Sequence, residues 1–195
     1  MVYSRVVEGK LYTFGISGRL YKSNILLYDH QTESLWSQLK EIAISGPLVG
    51  KRLKKLASKR TSWEVWRKEN PHTLVLSTDT GYQRDYTVDP YEGYYRALGL
   101  WFPVGDVRTD LSPKEIVLGV EIKGKAQAYP LSLLRKKPGI LKDNIEGIHL
   151  EIEVSSEGEI IGVRDHQRNP VLSVFVYWFA WQAFHPDTSV YGGAK

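Results

Sequence analysis

The stretch TGYQRDYTVDPYEGY (80–94) interleaves Arg84, Asp85 and Asp89 with Tyr82, Tyr86, Tyr91 and Tyr94. A guanidinium offers a planar fork that matches a carboxylate or phosphate, and tyrosines supply flat amphipathic walls that end in a hydroxyl. On an ordered loop such groups would line a ligand cleft. The competing reading is a loop pinned by an Arg84–Asp85 or Arg84–Asp89 ion pair and packed tyrosines. A second group, DHQTE (29–33), sets His30 between the carboxylates of Asp29 and Glu33, and DHQ recurs at 165–167. Two such turns brought together would offer nitrogen and oxygen ligands to a borderline metal. The chain has no H-x-x-x-H or comparable spacing, however, so each DHQ is expected as a strand-end turn and no metal is assigned. A third group, AWQAFHPDT (180–188), places His185 and Asp187 on either side of Pro186.

Weaker signals complete the inventory. Asp79-Thr80-Gly81 follows an apolar run, as in aspartic proteases, but one copy cannot form a proton-sharing pair and the triplet is an ordinary turn sequence. There is no phosphate loop, dinucleotide glycine pattern or G-x-S-x-G elbow. No catalytic residue is assigned.

The elements that must carry these groups are mostly strands. Val2 to Val7 and Lys10 to Ile16 flank Glu8-Gly9, a hairpin signal, while Ile25 to Tyr28 and Ser34 to Ser37 flank DHQTE. Thr61 and Glu64 stand at capping-box spacing before Val65 and Trp66, and Pro71 follows, which predicts a short helix over 62–69. Residues 77–105 lack periodicity and read as a long ordered loop or several turns. Strands are expected at 114–122, 126–129, 148–154 and 159–164, with a short helix after Pro130.

SWEVWRKENPHTLVL (62–76) aligns without gaps with YWFAWQAFHPDTSVY (177–191), pairing Trp63 with Trp178, Trp66 with Trp181, Pro71 with Pro186 and Thr73 with Thr188. Upstream, DHQ and the Glu-Gly hairpin recur in the same order. The expected fold is therefore a β-dominated α+β domain spanning 1–195. Its antiparallel hairpins fall in two unequal, internally duplicated halves, 1–76 and 147–191, with short Trp-bearing helices. A Tyr-rich loop and a hairpin with a short helix link the halves. Because a residue before proline is pushed out of helical geometry, Asn70 and His185 each stand where a helix must end. The second copy alone has His and Asp around that proline.

Composition narrows the function classes. The net charge of +4 is mild, so no nucleic-acid partner is expected. The basic run GKRLKKLASKR (50–60) reads as a solvated face around Leu53 and Leu56. With no cysteine, disulfides and thiolate chemistry are excluded for these residues. VLSVFVYWFAWQAF (171–184) is too short and too interrupted to span a bilayer and reads as core.

Several stretches together, FGISGRLYKSNILLYDHQTESLWSQ (14–38), GPLVGKRL (46–53), TSWEVW (61–66), VLSTDTGYQRDY (75–86), DPYEGY (89–94) and FAWQAFHPDT (179–188), resemble the bacterial and archaeal proteins of domain-of-unknown-function family 3179. The resemblance supplies boundaries and implies no activity. It also implies two departures: relatives carry Arg where this chain has His30, and a Cys-Pro-Leu segment before the strand that begins here at Met1. The chain is therefore expected to start inside the family domain, and to be cytoplasmic as encoded but exported if a signal precedes it.

The resulting expectation is a small-ligand-binding module using Tyr82, Arg84, Asp85, Tyr86, Asp89 and Tyr91 of the loop with Asp29, His30 and Glu33 of the turn, and His185. Ligand, cofactor and oligomeric state are left open. Two alternatives stay beside it: an enzyme or redox or metal-handling factor completed by the N-terminal Cys segment, and a structural or protein-interaction module.

Overall fold

The computed structural model describes residues 1–58, 60–102 and 104–193. The chain divides into two compact units, one of residues 1–59 with 102–195 and one of residues 60–101.

The larger unit opens with β1 (Val2–Tyr3), β2 (Val6–Val7), β3 (Lys10–Leu11), β4 (Phe14–Tyr21), β5 (Asn24–Asp29), β6 (Leu35–Ser37), β7 (Ile42–Ser45) and β8 (Lys55–Leu56). The smaller unit holds α1 (Trp63–Glu69) and α2 (Glu92–Arg96). The larger unit then continues through β9 (Ile116–Ile122), β10 (Lys125–Pro130), α3 (Leu131–Leu134), β11 (Gly139–Ile145), β12 (Ile148–Val154), β13 (Ile160–Asp165), β14 (Ser173–Tyr177), α4 (Trp178–Phe184) and β15 (Ser189–Val190). The fold is β-dominated α+β, as the sequence predicts. No helix among the described residues is long and apolar enough to cross a membrane.

Tight hairpins set most of the registers. Glu8-Gly9, Lys22-Ser23, Lys123-Gly124 and Glu146-Gly147 each place two successive residues at positive φ between paired strands. That is the primed-turn geometry whose twist matches the strands it joins. The results are an antiparallel β4-β5-β6-β7 sheet, a β11-β12-β13 sheet, and a sheet ordered β14-β9-β10-β15 whose last pair runs parallel.

β9 lies between β14 and β10, and its near-continuous apolar sequence reflects burial on both faces. Leu118 and Val120 join the main core with Tyr129, Leu150 and Ile152, while Val117 meets Ala128, Val174, Trp178 and Trp181. A separate core of Val7, Tyr12, Trp36, Ala43 and Leu53 serves the first hairpins.

The two Trp-bearing helices are alike in local detail. Trp66 Nε1 donates to Thr73 Oγ1 (3.0 Å) and Trp181 Nε1 to Thr188 Oγ1 (2.9 Å). The C-cap residues Asn70 (φ −134°, ψ 71°) and His185 (φ −129°, ψ 69°) share one conformation, each donating its N–H to the Trp carbonyl one turn back. The proline that follows accounts for that shared ending. Burial separates the helices. α1 buries no residue, whereas α4 buries every residue but its last. α4 also enters directly from β14, its first N–H groups met by the carbonyls of Glu115 and Pro113 instead of a capping side chain.

Candidate functional site

The DHQTE turn closes on itself. Asp29 ends β5 fully buried, and its carboxylate accepts from Thr32 N (2.6 Å), Thr32 Oγ1 (2.9 Å) and Trp36 Nε1 (2.9 Å). Burial pushes this carboxyl up, but the hydrogen bonds from Trp36 and Thr32 outweigh it and hold the group below its usual value. His30 Nδ1 lies 3.0 Å from Thr13 Oγ1, with its ring edge-on to Tyr28. Glu33 adopts positive φ and donates its N–H to the Asp29 carbonyl. Asp165 does the same work in the second DHQ, accepting from the N–H groups of Gln167 and Asn169 and from Asn169 Nδ2.

The 80–94 loop belongs to the smaller unit, and its functional candidates are exposed. The Asp85 carboxylate accepts from Thr87 N and Oγ1 and is held low by them. Asp89 Oδ1 accepts from the Tyr91 N–H at the start of α2. Tyr86 shares a hydrogen bond with Thr80 (2.7 Å), and Tyr91 and Tyr94 pack against Trp101. Both acids are thus engaged locally, and among the described residues no ion pair joins Arg84 to either of them.

His185 lies in a different setting. A cavity of about 400 Å³ opens within the larger unit where the end of α4 meets β9, β14 and the chain around β8. Trp181 and His185 line it, their rings 4.0 Å apart between centroids. Neither Asp29, His30 nor Glu33 contributes to its wall. Lys40, Arg52 and Lys55 bring positive charge, Glu41 and Glu121 negative charge, and Leu39, Leu172 and Phe184 apolar surface.

The His185 backbone is held from several sides. Besides the Trp181–Thr188 bond, Arg108 Nη1 donates to the carbonyls of Pro186 (2.9 Å) and Thr188 (2.7 Å), while its other nitrogens grip Asp110. The same guanidinium lies over the Trp178 ring. His185 Nδ1 stands 3.6 Å from Glu121 Oε2. Burial, and after it the Lys55 ammonium, lower the His185 imidazole's proton affinity against the opposing pull of Glu121 and Glu41. Lys55 and Glu41 form an ion pair. The wall thus sets charges of both signs beside the partly exposed His185 and Phe184 rings.

Among the described residues no three His, Cys, Asp or Glu side chains converge as metal ligands. Of the site residues, the sequence singles out only His185. Arg52 and Lys55 belong to the basic run read there as solvated, and Glu121 is the penultimate residue of the apolar β9. The available signal is the break in pattern: a buried Leu53 between exposed cations, and an acid closing Leu118-Gly119-Val120.

Residues 1–168 match the family described as "Protein of unknown function (DUF3179)". No curated protein and no solved structure matches the chain.

Proposed function

Because the chain belongs to the DUF3179 family, whose description assigns no activity, we propose from its own geometry that it binds a small polar ligand in the cavity beside His185. The observation that carries this reading is the cavity itself. It is a concavity of ligand size in which a partly buried imidazole, aromatic surface and charges of both signs converge. Its walls combine β8, β9, β14 and α4 with the turn that carries Leu39, Lys40 and Glu41 and the segment that carries Arg52. The two Trp–Pro–Thr stretches, alike in hydrogen bonding and capping, support reading the halves as an old duplication. On that reading only the second copy acquired the His that faces a cavity.

A thermal-shift screen of small carboxylates, phosphates, amines and amino acids tests the proposal. At least one class is expected to raise Tm, with the rise lost in Arg52→Ala and in His185→Ala and retained in Arg84→Ala. Loss in Arg84→Ala alone would move the binding site to the 80–94 loop.

A second reading has its own observation. The smaller unit exposes Trp63, Trp66, Leu74, Leu76, Tyr82 and Trp101, an unusually apolar surface for so short a segment. This favours a protein-interaction role for residues 60–101, in which Arg84 and the loop tyrosines would contribute to contact with a partner.

A further inference from the structure

The charges around the cavity do not cancel in a way that suits a simple ion. Lys55 and Glu41 neutralise one another through their ion pair. Arg52 and Lys40 remain on the wall as cations; the only interaction of the Lys40 ammonium among the described residues is with the Tyr21 ring, 5.6 Å away. Glu121 remains as an anion. Its only ionic neighbour among the described residues is the His185 ring, at 3.6 Å, and its side chain is half exposed.

A phosphate or dicarboxylate drawn to Arg52 and Lys40 would share the cavity with the Glu121 carboxylate, and a simple amine drawn to Glu121 would share it with two cations. Like charges brought together repel, and such repulsion discriminates between ligands alongside attraction. A molecule with both signs satisfies each wall. Leu39, Leu172 and Phe184 then offer apolar surface to a side chain, beside the buried Trp181 indole, which is packed against Gly119 and His185 and tied to Thr188.

Resting on the reading of the cavity as a ligand site, we propose that its ligand is a small zwitterion of the α-amino acid class, with its carboxylate at Arg52 and Lys40 and its ammonium at Glu121.

The test is calorimetric titration of the full chain with the free L-amino acids, followed by comparison of the tightest with its decarboxylated and deaminated analogues. For L-leucine these are 3-methylbutylamine and 4-methylpentanoate. At least one amino acid is expected to saturate the protein, with each half-ligand at least about tenfold weaker, since a charge-assisted hydrogen bond commonly contributes that much. Arg52→Ala should weaken the amino acid and the acid but not the amine, and Glu121→Gln should weaken the amino acid and the amine but not the acid. Circular dichroism confirms that each variant is folded.

Binding of inorganic phosphate or 4-methylpentanoate in preference to every amino acid, lost in Arg52→Ala, would overturn the zwitterion while leaving the cavity as the site. Amino acids binding equally well to both variants would overturn it too. Silence of every probe would remove the zwitterion, and with it the cavity if the thermal-shift screen is also silent.

Discussion

Gly119→Ala is expected to destabilise the protein by about 3 kcal/mol, the upper range for forcing an extra methyl into a packed core. A Cβ at this position would lie 2.4 Å from Trp181 Cζ3 and 2.5 Å from Cε3. The ring has little freedom to retreat. Trp181 is buried, its indole N–H is bound to Thr188, and its neighbours Val117, Ala128 and Val174 fill the same core. Any movement of Trp181 would also shift His185, which stacks on it and caps the helix on its carbonyl. Urea denaturation should show the loss as a lower midpoint with little change in slope. Gly162→Ala on β13 is the control. Nothing lies within 4 Å of its added methyl, so a change within about 0.5 kcal/mol is expected there.

Asp29→Ala is expected to cost about 3 kcal/mol. The substitution strands the buried Trp36 indole N–H and the Thr32 N–H without their acceptor, and a buried unmet donor carries its full desolvation penalty. The effect has a pH signature. Hydrogen bonds hold the Asp29 carboxyl below its unfolded value of about 3.9. A depressed carboxylate contributes stability that is present above the unfolded pKa and is lost as pH falls through the folded one. The stability gap between wild type and Asp29→Ala should therefore be constant from neutral pH to about pH 5 and narrow below about pH 4. A gap independent of pH would show that the carboxylate's charge plays no part. Asp165→Ala, in the exposed second turn, should cost less because no buried indole depends on it.

What could be read from sequence was local. Glu8-Gly9 and Lys123-Gly124 announce hairpins because two-residue turns need particular residues, and those hairpins are present. The W-x-x-W-x-x-x-x-P spacing marks both helix ends to within a residue, since proline acts on the residue before it. The short α2 inside the expected loop went unread. It is five residues long, carries Gly93, and its pattern signal is confined to a Glu92–Arg96 pair one turn apart.

The repeated Trp pattern does not by itself report burial, but the apolar run over 171–184 that reads as core does, and α4 within it is buried. Trp66 and Trp181 have the same spacing and matching threonine partners, yet only Trp181 is buried, packed against Gly119 of β9. The cavity itself was not legible. His185 stands out beside its proline, but Arg52, Lys55 and Glu121 reach it through non-local packing that no window of sequence reports. Nor did any signal announce the parallel pairing of β15 with β10, which brings Ser189 and Val190, just beyond the His185 turn, alongside Gln127 and Ala128.

The cavity's role as the binding site is most directly tested by the six tryptophan indole N–H resonances in a nitrogen–proton NMR titration with the amino acid that calorimetry selects. Trp181 lines the cavity, Trp36 sits in the separate first core, and Trp63, Trp66 and Trp101 belong to the smaller unit. Saturable movement of the Trp181 signal, together with the His185 ring protons and with Trp36, Trp63, Trp66 and Trp101 unmoved, is the expected result. Movement confined to Trp63, Trp66 and Trp101, with Trp181 silent at saturation, would contradict it.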